Sequence, residues 1–190
     1  MTAPEYIQLR AFARVDGLKL FVLWLGSFLC YVQGLHSPGL GMVAMVLLLA
    51  TPMLSYRLLR KFRDEGRNGI ISFGRGWLYV IFQFFYACLL FAVAQYLYFA
   101  YIDKGTFMSE MAELFSAPET KEAFRQMGMG KSIEETLSVM SQMRPIDLVL
   151  NIMTSNLLIG IVVGLPLGFM AHRSGKPLPP APPQEENING

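Results

Sequence analysis

Four apolar stretches dominate this sequence, and each is long enough to cross a lipid bilayer. They cover residues 17–36, 40–59, 76–101 and 146–171. At ~1.5 Å per helical residue, about 20 residues cover the ~30 Å hydrocarbon core of a membrane. Charged residues concentrate between the stretches, a pattern that disfavours the core of a soluble helical bundle. The sequence therefore predicts an all-α membrane protein with four transmembrane helices.

Composition supports this fold class and limits what else the chain contains. Hydrophobic residues make up 53% of the sequence, above the ~45–50% that is usual for soluble domains. We divide the chain into an amphipathic N-terminal segment (1–15), a transmembrane domain (16–173) with an insert (103–144), and a Pro-rich tail (174–190) that we expect to be disordered. The N-terminal segment is predicted to lie on the inner membrane surface, and a frayed tail is the alternative.

The distribution of basic residues predicts the orientation of the chain. Eleven Lys and Arg residues lie near the termini and in the loop after the second stretch, whereas the insert holds five beside seven acidic residues. Because cytoplasmic segments are enriched in Lys and Arg, both termini are predicted to be cytoplasmic. The insert then faces outward as a hairpin of short helices, the last of which opens with a capping box formed by Ser132 and Glu135.

The loop after the second stretch concentrates the positive charge. The residues that we expect to dock an anionic lipid, a pyrophosphate-bearing lipid carrier or an acidic partner are Arg57, Arg60, Lys61, Arg63 and Arg67. The alternative is that these residues only set the topology, since the positive-inside rule by itself requires basic residues on this side.

The fourth stretch carries the sharpest pattern in the chain. Asn156, Gly160, Gly164 and Gly168 recur every four residues and therefore share one helix face. Glycines on such a face let another helix backbone come close, and an Asn side chain can form a hydrogen bond across the interface. The partner helix can belong to the same chain, to a second copy or to another protein.

Two further features bear on a path through the membrane. Pro52 and Pro166 lie within apolar stretches and are predicted to kink their helices. Residues 151–156 form the most polar part of any stretch and suit a water-filled or lipid path. Lys19 and Asp147 lie near helix ends, so we expect no charged residue deep in the membrane, which counts against an ion-coupled transporter.

No catalytic or cofactor-binding arrangement emerges from the sequence. There is no phosphate-binding glycine loop, no nucleophile elbow and no clustered carboxylate pair. His36 and His172 have no Cys near them in the sequence, so we predict no metal site. We therefore expect no enzymatic activity, no cofactor and no nucleic-acid partner. The predicted partners are the lipid bilayer, anionic lipids, and a second membrane protein or further copies in a homo-oligomer.

The order of the four stretches, the Met- and Glu-rich insert from Met108 to Met143 and the Gly-rich end from Gly168 to Arg173 form a recognisable layout. From Val15 to Arg173 it resembles an uncharacterised four-helix inner-membrane protein family of Bacteroidota, catalogued as a domain of unknown function. The resemblance implies a bacterial inner-membrane location and brings no catalytic residues with it. It also suggests an accessory role beside a polyprenyl-phosphate glycosyltransferase.

The residues leave three functional hypotheses open. The first is a non-catalytic subunit or scaffold that anchors, stabilises or positions another envelope protein. The second is a small lipid-handling or transport protein, in which Pro52, Pro166 and the polar residues 151–156 form a path. The third is an enzyme that acts on a lipid carrier held by the basic loop. The four stretches contain no base or nucleophile for such a reaction, which makes this hypothesis the weakest of the three.

Overall fold

The computed structural model of the chain describes residues 2–35, 37–103, 105–140 and 143–174. The predicted tail, apart from Ser174, lies outside the described residues, as does His36 at the predicted end of the first span. The described residues form seven α-helices and contain no β-strand, only an isolated bridge between Ile71 and Arg173.

Four of the helices are long. They are α1 (Ala3–Gly34), α2 (Pro38–Lys61), α3 (Phe73–Leu97) and α7 (Pro145–Ala171). A π-helical turn continues α2 over Phe62–Gly66, and another continues α3 over Tyr98–Ile102. All four long helices have the length and hydropathy of membrane spans, which confirms the predicted class of helical, multi-pass membrane protein.

Helix α1 is longer than the first predicted span because the N-terminal segment joins it without a break. The Thr2 amide donates to the Glu5 carboxylate at 2.9 Å, which satisfies part of the helix start. Leu9 and Ala13 are as fully buried as Leu20, so one buried face runs through most of the helix. The segment predicted to be amphipathic thus forms the first part of α1.

Helix α3 lies at the centre of the bundle. It packs along α1 on one side and along α7 on the other, while α1 also packs along α2. Aromatic side chains fill the space between α1 and α3; the Trp24 ring, for example, meets Phe84 and Phe91 edge-on, with centroids 5.4 and 5.7 Å away. Helices α2 and α7 touch each other much less.

The two ends of the bundle differ in how the chain closes them. We call the end that holds Thr2 and Ser174 the termini end, and the end that leads to the insert the insert end. At the termini end, the Glu5 carboxylate accepts hydrogen bonds from Arg67 and Arg75, each at 2.9 Å. This cluster ties the start of α1 to Arg67 in the segment between α2 and α3 and to Arg75 in the first turn of α3.

Three short helices form the insert: α4 (Thr106–Ser116), α5 (Pro118–Gln126) and α6 (Gly130–Met140). Phe107 of α4 is buried, and its ring lies 6.0 Å from that of Tyr31 and 5.3 Å from that of Phe99. Helix α6 begins before Ser132, so the predicted capping box is wrong: its N-cap residue lies inside the helix.

Candidate functional site

The glycine face of α7 is directed at α3 of the same chain. A Cβ atom added at Gly160 would lie 2.6 Å from Cδ1 of Phe84, and one at Gly164 would lie 2.9 Å from Cδ1 of Trp77. At Gly168 the nearest atom is the backbone nitrogen of Trp77, at 2.9 Å. Each distance is too short for a side chain, so the glycines allow the two helices to approach closely.

Helices α2 and α7 come together at the termini end. The buried Arg63 guanidinium donates from Nη1 to the carbonyl oxygen of Ala171 at 3.2 Å. Just beyond, the backbones of Ile71 and Arg173 exchange two hydrogen bonds of 3.3 and 3.1 Å. These bonds close the seam between α2 and α7 at this end of the bundle.

Towards the insert end, the same two helices border a groove of about 580 Å³. Its floor comes from α1 and α3 and includes Trp24, Phe28, Phe84 and Phe91. Its walls are residues of α2 and α7, among them Ala44, Met45, Leu48, Pro52, Ile152, Asn156, Ile159 and Val163. We call this feature the α2–α7 groove, and its volume falls within the ~300–1,000 Å³ typical of ligand sites.

The groove is open on its outer side. Met45, Leu48 and Ile159 line it and are 65%, 58% and 52% exposed. In a membrane-spanning bundle, side chains exposed at this depth face the hydrocarbon region of the bilayer. The groove is therefore accessible from the side, in the plane of the membrane.

Few polar groups line the groove, and most of them are already paired. The Trp24 indole donates to the hydroxyl of Thr51 at 3.0 Å, and the Ser27 hydroxyl donates to the carbonyl oxygen of Ala44 at 2.8 Å. Asn156 is half-buried and also lines the groove; its side-chain amide has no hydrogen-bond partner among the described residues. This amide is the available hydrogen-bonding group of an otherwise apolar site.

The two prolines and the basic residues predicted from the sequence lie in different parts of the bundle. Pro52 and Pro166 both lie inside unbroken helices, and Pro52 lines the groove. Among the basic residues, Arg63 and Arg67 bond within the chain as described above. Arg57, Arg60 and Lys61 are exposed at the termini end, and Arg60 lies 5.9 Å from the ring centroid of Tyr56. The predicted docking set is thus divided between internal bonds and the surface.

Sequence reasoning missed Asp16. Its side chain is buried in α1, where it accepts hydrogen bonds from the hydroxyl of Tyr79 and, at 2.6 Å, from the ammonium of Lys19. The predicted first span began at Gly17, which placed Asp16 just outside the membrane helix. The available signal was the spacing of Asp16 and Lys19, because residues three apart share a helix face.

The lining of the groove determines what it can hold. The described residues contain no group of three or more His, Cys, Asp or Glu side chains that could hold a metal ion. Apolar walls, lateral access and a single unpaired amide suit a ligand that is mostly hydrocarbon.

The fold defines a class: a helical, multi-pass membrane protein with a side-opening apolar groove. Residues 16–173 match the family described as "Protein of unknown function (DUF4199)". The match covers most of the chain, and the protein belongs to this family. No curated protein and no solved structure matches the chain.

Proposed function

We propose that this protein is a non-catalytic lipid-handling protein of the membrane, which takes a lipid hydrocarbon chain into the α2–α7 groove. The observation that carries the proposal is the groove itself, with apolar walls and side chains exposed to the bilayer. Because the bilayer is the solvent of these helices, lipid chains are the molecules that surround the opening. A lipid chain needs no further protein to reach the site.

Asn156 supports this proposal over a passive gap between helices. A polar amide in hydrocarbon is unfavourable unless it finds a hydrogen-bonding partner. Asn156 lines the groove on the same helix as Ile159 and Val163. A lipid whose ester, hydroxyl or amide group reaches this depth would pair with it, which makes the groove suited to more than a plain acyl chain.

The test is photocrosslinking in nanodiscs that contain a phospholipid with a diazirine on one acyl chain. Adducts are mapped by mass spectrometry in the wild type and in two variants of α7. Ile159→Trp fills the groove and should lower adduct formation on Met45 and Leu48 severalfold. Val162→Trp places the same ring on an exposed residue of α7 outside the groove lining, and it should leave those adducts unchanged.

Two results would contradict the proposal. One is adduct formation spread evenly over exposed residues such as Val46 and Val162, with no preference for the groove. The other is an equal loss of adducts in the two tryptophan variants. Asn156→Leu adds a third comparison: lipid flux or scrambling in liposomes that is unaffected by this variant would argue against a path past Asn156.

A second candidate function is that of an accessory subunit that anchors another envelope protein. It is favoured by Asn151 and Ser155, which lie one turn apart on α7 and are exposed although the helix has the hydropathy of a membrane span. Polar side chains in lipid commonly form bonds between helices. Purification in mild detergent followed by intact-complex mass spectrometry tests it: a stoichiometric partner lost in Asn151→Leu/Ser155→Ala supports it, and a lone monomer contradicts it.

The proposed setting is a bacterial inner membrane with both termini in the cytoplasm. The excess of Lys and Arg at the termini end supports this orientation. Anionic headgroups would then meet the exposed Arg57, Arg60 and Lys61. Labelling of cysteines introduced in α5 with an impermeant reagent on intact cells tests it, since protection of α5 would reverse the orientation. An accessory role beside a polyprenyl-phosphate glycosyltransferase stays a prediction.

A further inference from the structure

The bundle contains a second set of polar groups, which lies below the groove floor and takes no part in it. It consists of Asp16 on α1, Ser55 on α2, and Tyr79 and Gln83 on α3, and we call it the polar layer. All four side chains are at most 4% exposed. At its lower edge the Tyr79 hydroxyl donates to Asp16, and at its upper edge the Trp24 indole donates to Thr51.

Two members of the polar layer have unsatisfied hydrogen-bonding atoms. Gln83 is fully buried, and neither Nε2 nor Oε1 has a partner among the described residues. Ser55 is also fully buried, and its hydroxyl has no partner within the same described part of the chain. A Gln amide offers two donors and an acceptor, and a Ser hydroxyl offers a donor and an acceptor.

Both groups lie between the same two hydrogen-bonded pairs along the bundle. Gln83 lies one turn from Tyr79 on the same face of α3, and its backbone carbonyl oxygen would be 3.0 Å from a Cβ added at Gly17. Ser55 lies between Thr51 and Phe62 on α2, and the Phe62 ring stacks on that of Tyr79 at 4.7 Å. The two unsatisfied groups therefore lie between the Asp16–Tyr79 bond and the Trp24–Thr51 bond.

The polar layer also reaches the surface of the bundle. Asp16 bonds to Lys19, whose side chain is 47% exposed. The groove, by contrast, is separated from the layer by the bonded pair of Trp24 and Thr51, which lines the groove. Buried polar groups without protein partners are commonly satisfied by ordered water, each molecule of which makes about three hydrogen bonds.

We propose that the polar layer is a site for bound water, in which water molecules bond to Gln83 and Ser55 and extend to the Asp16–Tyr79 pair. Water enters beside Lys19 and stops below Trp24 and Thr51. Helix α1 then contributes Asp16 to a hydrated site and Phe28, more than three turns away, to a dry lipid groove.

The experiment is hydroxyl-radical labelling by short X-ray pulses, applied to the full chain in nanodiscs. Radicals form from water where it is bound, so a buried side chain beside internal water is labelled and one in a dry environment is not. Tyr79 and Phe84 lie on the same helix, are 0% and 1% exposed, and form a matched pair. A free Tyr ring reacts with hydroxyl radicals faster than a free Phe ring, so each rate is divided by that of the same free amino acid. On this scale we expect Tyr79 to be labelled severalfold faster than Phe84.

Two variants connect the labelling to the unsatisfied groups. Gln83→Leu combined with Ser55→Ala removes them and should reduce the labelling of Tyr79 to the rate of Phe84. Gln95→Leu is the control, because Gln95 is also buried on α3 with an unpartnered Oε1 but lies three turns beyond Gln83; it should leave Tyr79 unchanged.

Equal labelling of Tyr79 and Phe84 in the wild type would overturn the proposal, and this comparison needs no variant to fold. Tyr79 labelling that survives in the folded double variant would overturn it too. The double-variant result compares Tyr79 with itself and does not depend on what occupies the groove that Phe84 lines, so the water site and the lipid proposal fail separately.

Discussion

Helix α7 has two neighbours and meets them in opposite ways. Against α3 it presents Gly160, Gly164 and Gly168, and the backbones approach so closely that no added Cβ would fit. Against α2 it presents Ile152, Asn156, Ile159 and Val163, and a groove remains. Small side chains thus close one interface along the helix, while larger ones on the neighbouring face hold the other open.

The same comparison shows how the groove can exist in a stable bundle. The contact between α3 and α7 holds α7 in place, so α2 and α7 need to meet only at the termini end. There Arg63 bonds to the last carbonyl group of α7. The α3–α7 contact and the contact of α2 with α7 at the termini end therefore hold the groove in shape, whether or not a lipid occupies it.

The largest effect is expected from Gly168→Leu, which breaks the closed interface. The new side chain would meet the backbone of Trp77, which cannot rotate away as a side chain can. We expect a loss of about 3 kcal/mol, at the upper end of overpacking costs. Thermal unfolding in nanodiscs, followed by tryptophan fluorescence, should show it as a drop in Tm of several degrees.

Gly74→Leu is the matched control for this change. Gly74 also lies in a long helix, but nothing lies within 4 Å of a Cβ added there. Leucine has the higher helix propensity, so Tm should stay constant or rise slightly. An equal drop in Tm for both variants would show that the close approach at Gly168 is not what holds α7 against α3.

The next effect concerns the closed end of the groove. Arg63→Met removes the bond to Ala171 and the paired hydrogen bonds to Asp64, of 2.7 and 3.2 Å. Because hydrogen bonds to charged groups are stronger than neutral ones, we expect the free energy of unfolding to fall by about 2 kcal/mol. If the seam opens, crosslinked lipid should also appear on α7 near Ala171. Arg60→Met removes an exposed basic residue and should neither lower the stability nor bring lipid adducts to Ala171. Adducts near Ala171 in that variant would show that they do not result from opening the seam.

A smaller effect is expected at the groove floor. Thr51→Val keeps the shape of the side chain but removes the acceptor of the Trp24 indole, which then lies unpaired in a buried site. Hydrogen bonds between membrane helices average ~0.6 and reach ~1.7 kcal/mol. Thr154→Val is the control, because the Thr154 hydroxyl bonds to Leu150 of its own helix and is exposed. A Tm drop no larger in Thr51→Val than in the control would mean that the floor does not rely on this bond.

The smallest effect concerns the cluster that ties α1 to the termini end. Glu5→Gln weakens the pairs with Arg67 and Arg75, and partly exposed pairs of this kind contribute about 0.2–1 kcal/mol. The Tm difference from wild type should shrink as salt is added. Glu65→Gln, whose partner Lys61 is 3.8 Å away in an exposed pair, should change Tm less. A difference that is independent of salt would contradict an electrostatic tie.

The sequence by itself determined the four spans, because hydropathy over some 20 residues suffices for a membrane helix. Helical periodicity also predicted one face for Asn156, Gly160, Gly164 and Gly168. The three glycines share the face against α3, whereas Asn156 lines the groove. The sequence left open which helix the glycine face would meet. That choice, α3 of the same chain, belongs to the tertiary structure, because a repeat of small residues specifies close approach and not the identity of the partner.

Asp16 and Asn156 show the same limit. Their identities were plain in the sequence, but the burial of Asp16 depends on Tyr79, which is far away in the chain. The access of Asn156 to a groove depends on how far α2 stands from α7. Local patterns assign each residue to a face of its own helix, whereas the environment of that face is set by long-range packing that no local pattern contains.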